Sequence, residues 1–277
     1  TQILGDLGAD VIKLEAPAGD NMRAVGPMRN AGMGALYLHL NRNKRSIVLD
    51  LKTPEGRQAC LDLAKTVDVM LYNVRPQSMA RLGLAYEDVA AVNPKIVYVG
   101  AYGFGNKGPY AGKPAYDDLI QGMTAIASLY HENSGDIPRY APLTLADRAV
   151  GMQAAIAMLA GVINARSTGE GQAIEVPMFE TLVSFATVEH LCGSLFMPPL
   201  GPPEYPRATS EARRPYKTGD GHIAVMIYND KHWRAFFHAI GDPDWSKDPI
   251  FASMRSRTEN IGAVLAKVAE VMEQRTT

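Results

Sequence analysis

Asp147 occupies a position in the sequence that allows two different chemical roles. It follows Thr144 by three residues and comes directly before an apolar run, and Thr-x-x-Asp is a spacing found in helix capping boxes. A carboxylate in the first turn of a helix is also stabilised by the helix dipole. The same position would keep a carboxylate ionised at the edge of a packed core, as a carboxylate nucleophile requires. Capping is the simpler interpretation, and the position alone does not separate it from catalysis.

Basic residues gather near the ends of several predicted elements. Asn41 to Arg45 is the densest basic run, and Lys52, Arg75 and Arg81 follow further along the chain. Open parallel sheets bind ligands at the carboxyl ends of their strands, where Arg and Lys can pair with phosphate oxygens. These residues therefore indicate a phosphate-rich ligand, although the pattern alone favours ordinary solvated surface charge.

Other common site motifs are weak or missing in the sequence. Gly103 to Gly108 satisfies the dinucleotide fingerprint G-x-G-x-x-G, but Pro109 and Pro114 follow, so we expect no helix there to hold a pyrophosphate. The six histidines and the two cysteines, Cys60 and Cys192, lack the spacing of a metal site. There is no G-x-S-x-G nucleophile elbow. The sequence thus predicts neither a metal hydrolase nor a serine hydrolase.

The composition is that of an ordinary globular protein. Hydrophobic residues make up 47%, and 28 Lys and Arg balance 29 Asp and Glu, for a formal charge of −1. This balance lacks the basic surface of a non-specific nucleic-acid binder and gives no general attraction to an anionic membrane. The apolar stretch Ala149 to Ile163 is shorter than the roughly 20 residues that span a bilayer, so we expect a buried core helix. The cysteine usage favours a reducing cytoplasm.

Short apolar strands alternate with helical segments through the first two thirds of the chain, which predicts a parallel sheet covered by helices. The predicted strands are Asp10–Leu14, Ser46–Leu51, Asp68–Tyr72, Lys95–Gly100 and Ala173–Val176. Thr53 and Pro54 form a helix start with Thr as the N-cap and Pro at the first helical position.

The amino-acid composition changes near Pro198, where prolines become frequent, and this change predicts a domain boundary. Met197 to Pro206 holds five prolines and is expected to be neither helix nor central strand. We therefore predict a large domain over residues 1–197, a proline-rich linker over 198–213 and a small α/β domain over 214–277. The small domain is predicted to contain a hairpin over Tyr216–Ile227 and helices near Lys231–Ile240 and Glu259–Glu273.

Six separated segments resemble the class III CoA-transferase family, also called the CaiB/BaiF type, and they occur in the family's order. They are Leu4–Glu15, Asn41–Lys52, Val69–Pro76, Gly103–Tyr110, Ala115–Asp117 and Leu145–Asp147. The likeness covers essentially the whole chain. It is specific because several unrelated segments match at the expected spacing.

The resemblance implies a Rossmann-like large domain with a mostly parallel sheet, a smaller α/β domain, and a homodimer of two interlocked chains. It implies acyl-CoA and a small carboxylic acid as substrates, with no prosthetic group and no metal. Carried over by motif, it makes Asp147 the covalent nucleophile. It places the CoA contacts on Leu49, Asp50, Leu51, Lys52, Asn73, Val74, Arg75, Arg81, Ala115, Tyr116 and Asp117. It also leads us to expect that the family's N-terminal strand and C-terminal return segment are missing from this sequence.

The implied reaction is CoA transfer from an acyl-CoA to a carboxylate through mixed anhydrides and an aspartyl-CoA thioester. In the related α-methylacyl-CoA racemases, the position of Tyr116 carries a histidine that acts as a base. A tyrosine is a poor general base near neutral pH, so Tyr116 favours transfer. An acyl-CoA racemase or epimerase and an inactive CoA-binding protein are the alternatives.

Overall fold

The computed structural model describes residues 1–129 and 137–277. The chain divides into two compact units, and their boundaries are not those of the predicted domains. The first unit comprises Thr1–Thr124 and Ala141–Phe185, and the second comprises Ala125–Tyr140 and Ala186–Thr277. The predicted domain boundaries at residues 197 and 213 therefore stay a prediction.

The first unit contains two parallel sheets, where the sequence predicted one. In the first sheet, β1 (Val11–Glu15) pairs with β2 (Lys44–Val48). In the second, the order is β3 (Val69–Tyr72), β4 (Val97–Gly100) and β5 (Gln172–Glu175), with β4 buried at every position. The two sheets meet through side chains rather than through a shared hydrogen-bond ladder, because Leu14 of β1 packs on the same apolar cluster as Met70 of β3. The predicted α/β class with parallel strands is confirmed.

The strand β2 ends earlier than predicted, and the cause is a turn at Asp50. Its carboxylate accepts a hydrogen bond from the Lys52 N–H at 3.0 Å, and its carbonyl accepts one from the Thr53 N–H at 3.1 Å. An Asp side chain that bonds the backbone two residues on competes with a strand ladder. Leu49 to Lys52 therefore lie in a loop after the strand.

Helices cover the sheets of the first unit and build most of the second. In the first unit and across its end they are α1 (Gln2–Asp6), α2 (Ala35–Asn41), α3 (Pro54–Ala64), α4 (Pro76–Arg81), α5 (Tyr86–Val92), α6 (Asp117–Met123), α7 (Leu145–Thr168) and α8 (Met178–His190). In the second unit they are α9 (Pro206–Thr209), α10 (Asp230–Ala239), α11 (Met254–Glu259) and α12 (Ile261–Glu273).

The predicted start of α3 is confirmed. The Thr53 hydroxyl accepts a hydrogen bond from the Gly56 N–H at 3.0 Å, and Pro54 stands in the first turn. Such a cap contributes about 1 kcal/mol to stability. The helix then buries Cys60, Leu61 and Ala64 against the core.

Glu15, at the end of β1, anchors the segment that follows it. The Arg23 guanidinium donates two hydrogen bonds of 2.7 Å to the buried carboxylate, and the Tyr37 hydroxyl donates another at 2.9 Å. These bonds, those from Arg23 first, lower the pKa of Glu15 to about 2 despite its burial. The carboxylate thus holds residues between β1 and α2 in place.

The helix α7 is buried on one face only. Val150, Ala154 and Met158 pack with Val97 and Val99 of β4. An opposite stripe of large apolar side chains is 47–70% exposed; it consists of Met152, Ile156, Leu159 and Ile163 and is called the apolar stripe below. The prediction of a buried core helix is therefore confirmed for the face that packs on β4 and wrong for the exposed face.

By length and composition alone, α7 is also a candidate membrane span. Only 39% of its most apolar window is buried in the protein. A core helix of a soluble protein passes the same test, so this single helix is weak evidence for a membrane.

The second unit has its own apolar core, formed by Tyr216, Trp233, Phe251, Val264 and Val268. The predicted hairpin is confirmed as β6 (Tyr216–Lys217) paired antiparallel with β7 (His222–Ile223). The two predicted helices are confirmed as α10 and α12.

Candidate active site

The carboxyl ends of three parallel strands meet at one edge of the second sheet. Gly100 pairs with Tyr72 and with Glu175 in register, so the residues after β3, β4 and β5 leave the sheet side by side. Asn73 to Arg75 follow β3 at this edge, and the loop beginning at Ala101 follows β4. This edge is where open parallel sheets bind ligands.

Gly103, in the loop after β4, brings the Ala115–Asp117 segment to this edge. A methyl group at Gly103 would lie 2.5 Å from the Cβ of Ala115, so only glycine permits this approach. The Gly103 carbonyl also accepts a hydrogen bond from the Phe179 N–H at 3.0 Å, which ties the loop to α8. The predicted contact residues Ala115 to Asp117 are thereby placed beside the strand ends.

The carboxylates of two glutamates hold the Gly103–Gly108 loop in place. Glu180 accepts a hydrogen bond from the Gly105 N–H at 3.0 Å, and Glu175 accepts one from the Asn106 side-chain amide at 2.8 Å. Carboxylates at these donors would repel a pyrophosphate. The next helix begins at Asp117, so the expectation that no helix opens after Gly108 is confirmed.

Asp117 is the buried residue that joins this edge to Asp147. Its Oδ1 accepts a hydrogen bond from the backbone N–H of Asp147 at 3.0 Å, across 30 residues of sequence. Its Oδ2 accepts one from the side-chain amide of Gln121 at 2.5 Å. Gln121 was not among the predicted site residues. The only sequence signal for it is the i, i+4 spacing from Asp117, which places two side chains on one helix face.

The predicted capping box at Thr144 and Asp147 does not form. Thr144 is the N-cap of α7, but its side chain makes no capping hydrogen bond. The reason is that Asp117 already occupies the Asp147 N–H, the donor that the Thr hydroxyl of a capping box would use. In the described part of the chain, the Asp147 carboxylate accepts no hydrogen bond and is not committed to capping.

Asp147 is exposed, yet nearby protein atoms still displace water from its carboxyl group. This desolvation, followed by the charge of Asp117, raises the pKa of Asp147 above its ordinary value, whereas Arg148 acts in the opposite direction. The helix-dipole argument from sequence predicted a carboxylate held strongly in its ionised form. The pKa of Asp147 is raised instead, because desolvation and then the charge of Asp117 outweigh the stabilisation expected from the helix dipole.

The basic residues predicted to contact CoA are exposed. Lys52 lies in the loop after β2, Arg75 is the N-cap of α4, and Arg81 is in the last turn of α4. Among residues 1–129 and 137–277, no carboxylate pairs with any of the three, and Arg81 donates one hydrogen bond to the Ser78 hydroxyl at 3.0 Å. They are free to meet an anionic ligand.

Of the remaining residues predicted to contact CoA, some pack against the core and others are exposed. Leu49 and Leu51 pack on the apolar cluster beneath the loop, while Asn73 and Val74 are exposed after β3. Tyr116 is 77% exposed as the N-cap residue of α6. No direct bond joins these residues to Asp147 in the part of the chain that the structure describes.

The described residues contain no group of three His, Cys, Asp or Glu side chains that could hold a metal ion. His131, one of the six histidines considered in the sequence, lies outside the described residues.

Curated relatives with assigned names match most of this chain. A probable fatty acyl-CoA transferase of Mycobacterium tuberculosis is 31% identical over 99% of this chain and 73% of its own length. The succinate–glutarate CoA-transferase of Agrobacterium fabrum is 34% identical over 92% of this chain and 66% of its own length. The acetyl-CoA:oxalate CoA-transferase of Acetobacter aceti is 32% identical over 99% of this chain and 70% of its own length. This chain thus spans about two thirds to three quarters of these relatives.

Solved structures match the fold. A crystal structure of the M. tuberculosis relative superposes with a TM-score of 0.79, covering 99% of this chain and 73% of that one. A CaiB/BaiF family protein of Brucella suis gives the same TM-score at 31% identity. Residues 1–277 match the pattern of CoA-transferase family III in full. The resemblance stated from the sequence is confirmed, and the chain belongs to CoA-transferase family III.

Proposed function

We propose that this protein is an acyl-CoA:carboxylate CoA-transferase with Asp147 as its covalent nucleophile. The observation that carries the proposal is the first turn of α7, where Asp117 takes over the capping hydrogen bond. The exposed Asp147 carboxylate is left without a hydrogen-bond donor among the described residues. A carboxylate free of donors keeps its lone pairs for attack on an electrophile.

The reaction begins when the Asp147 carboxylate attacks the carbonyl carbon of the acyl-CoA thioester. The C–S bond breaks, CoA leaves as a thiolate, and a mixed anhydride joins the acyl group to Asp147. The thiolate then attacks the aspartyl carbonyl and releases the first carboxylate. The product of this half-reaction is a thioester between Asp147 and CoA.

The second half-reaction repeats these steps with the acceptor acid. The acceptor carboxylate attacks the aspartyl thioester, which expels the thiolate and forms a second anhydride. The thiolate attacks the acceptor's acyl carbonyl, which releases the new acyl-CoA and restores the Asp147 carboxylate. No net hydrolysis occurs, so the thioester bond energy is retained.

The exposed cations support binding of CoA. Arg and Lys side chains without carboxylate partners are suited to phosphate oxygens. We assign the CoA phosphates to Lys52, Arg75 and Arg81. The neighbouring residues Leu49 to Leu51, Asn73, Val74, Ala115, Tyr116 and the backbone of Asp117 would line the rest of the nucleotide site through backbone and apolar contacts, and the buried Asp117 carboxylate takes no part in this contact.

The second substrate is proposed to be a small carboxylic acid. Relatives of this chain are named for succinate, glutarate and oxalate as well as for fatty acyl groups. Tyr116 stands where the racemases of this family carry their histidine base, and a phenol is a poor base near neutral pH. This supports transfer rather than racemisation.

The apolar stripe of α7 supports a homodimer. Four large apolar side chains at helical spacing are a surface that water covers poorly, and such stripes mark protein interfaces. We propose that a second copy of this chain covers them, in the interlocked arrangement implied by the family.

Cys60 and Cys192 are both free thiols, which supports a reducing cytoplasmic location.

The proposal is tested by the mass of the Asp147-containing peptide. Wild-type protein is incubated briefly with thioesters of short dicarboxylic acids and of longer fatty acids, then quenched, digested and analysed. We expect CoA attached at Asp147. The matched controls are Asp147→Asn, which should give no adduct, and Asp118→Asn, an exposed carboxylate on α6, which should leave the adduct intact.

An adduct that persists in Asp147→Asn would refute the nucleophile assignment. Folded wild-type protein that binds CoA but gives no adduct with any thioester would refute the transferase mechanism.

A further inference from the structure

We propose that Asp117 is a positioning residue, a buried carboxylate that is fixed by Gln121 and in turn fixes the first turn of α7 that carries Asp147. The inference rests on the proposed function of Asp147. It assigns Asp117 a different task from the CoA contact that the family resemblance implies. It also gives Gln121 a role that the sequence did not suggest.

Both oxygens of the Asp117 carboxylate already accept a hydrogen bond from the protein. Oδ1 accepts from the Asp147 N–H at 3.0 Å, and Oδ2 accepts from Gln121 at 2.5 Å. The residue is 8% exposed, so its carboxylate is not presented to a ligand in solution. Lys52, Arg75 and Arg81, by contrast, are exposed and lack acidic partners among the described residues.

Gln121 is locked in one orientation. It is fully buried, and its Oε1 accepts a hydrogen bond from the Ala141 N–H at 2.9 Å. The amide nitrogen must therefore face the other way, toward Asp117 and toward the Leu143 carbonyl, which lies 3.3 Å from it. Gln121 thus holds two parts of the structure in place: the segment that leads into α7, through Ala141 and Leu143, and the Asp117 carboxylate that caps α7.

These bonds tie residues 141, 143 and 147 to one helix, α6. A shift of about 1 Å in a reacting group can cost roughly 10²-fold in rate. The Asp117 carboxylate also lies at the positive end of α7, the end whose first turn carries Asp147. Asp117 therefore sets the orientation of Asp147 and, by like-charge repulsion, acts against its ionisation.

The first test separates a positioning role from a CoA contact. In Asp117→Ala, the Asp147 N–H and the Gln121 amide lose their acceptor, so we expect kcat to fall by roughly 10²-fold while KM for acyl-CoA changes less than about threefold. Asp118→Asn, on the same helix but exposed, should change neither. An Asp117→Ala variant with unchanged kcat and a raised KM would overturn the proposal.

The variant Asp117→Asn keeps the shape and one acceptor oxygen for the Asp147 N–H, but it removes the charge and turns an amide NH2 toward the Gln121 amide nitrogen. We expect it to recover part of the kcat lost in Asp117→Ala, because the bond to the Asp147 N–H is kept and the bond from Gln121 is lost. The acid limb of its pH–rate profile should move to lower pH, because the like charge beside Asp147 is gone. An acid limb at the wild-type position would overturn the proposal.

A measurement without turnover distinguishes failure of this inference from failure of the proposed function. The Asp147 carboxyl carbon is titrated by NMR in ¹³C-Asp-labelled protein, with the signal assigned by its loss in Asp147→Asn. We expect a lower pKa for Asp147 in Asp117→Asn than in wild type. An unchanged pKa would refute the coupling, whatever the adduct experiment shows about transfer.

Discussion

At the residue scale, the site depends on which carboxylate caps α7. Sequence spacing assigned the capping task to Thr144 and Asp147, but Asp117 accepts the hydrogen bond from the Asp147 N–H. This exchange leaves the Asp147 side chain available for chemistry. The pKa of Asp147 is raised, mainly by desolvation of its carboxyl group and then by the charge of Asp117.

The raised pKa predicts how stability responds to Asp147→Asn. A carboxyl whose pKa is higher in the folded than in the unfolded state binds protons more readily when folded, so it lowers the free energy of unfolding as pH rises through that range. At pH 7 the variant should be at least as stable as wild type, although transfer should fall by more than about 10³-fold.

Urea unfolding at pH 7 and below pH 4 checks this prediction. The advantage of the variant should shrink at the lower pH, where Asp147 is protonated in both states. Lower stability of Asp147→Asn at pH 7 would show that the ionised carboxylate stabilises the fold.

At the element scale, the loop after β4 decides where α6 begins and thus where Asp117 stands. Gly103 lies against Ala115 with no room for a side chain, while Glu175 and Glu180 hold the next residues of the loop. Close packing therefore explains Gly103 and Gly105 of the G-x-G-x-x-G motif without phosphate binding, whereas a methyl group at Gly108 would meet no atom within 4 Å.

Gly103→Ala should therefore push the Ala115–Asp117 segment away from the sheet edge. We expect the free energy of unfolding to fall by about 1–3 kcal/mol, because the neighbouring segment is forced to shift. We also expect kcat to fall, because the shift displaces Asp117. Gly108→Ala is the matched control, since a methyl group there would have no atom within 4 Å. Thermal unfolding and the transfer rate, measured on both variants, check this; equal behaviour of the two would contradict it.

At the scale of the whole molecule, the apolar stripe of α7 is an exposed surface that is poorly suited to water. Its residues face away from the sheet that the other side of the helix covers. Because Asp147 lies at the start of the same helix, an interface on the stripe would bring a second subunit near the first turns of α7. We therefore expect both dimer formation and transfer activity to depend on α7.

Ile156→Glu should disrupt this association. Ile156 is 60% exposed, so a charge there costs little in the isolated subunit but is buried in a dimer. Sedimentation velocity should show a dimer for wild type and a monomer for the variant, with Gln153→Glu, a polar neighbour on α7, as the control that stays dimeric. A dimer that survives Ile156→Glu unchanged would place the interface elsewhere.

Most of the local elements and the family were predicted correctly from the sequence alone. Strand positions, the Thr53 cap and the hairpin after Tyr216 depend on neighbouring residues, and the family is carried by six motifs in order. Three features became visible only in the folded chain: two sheets form, one face of α7 stays exposed, and Asp117 caps the helix of Asp147. The reason is distance along the chain: partners 30 residues apart meet through packing, which spacing in a sequence does not encode.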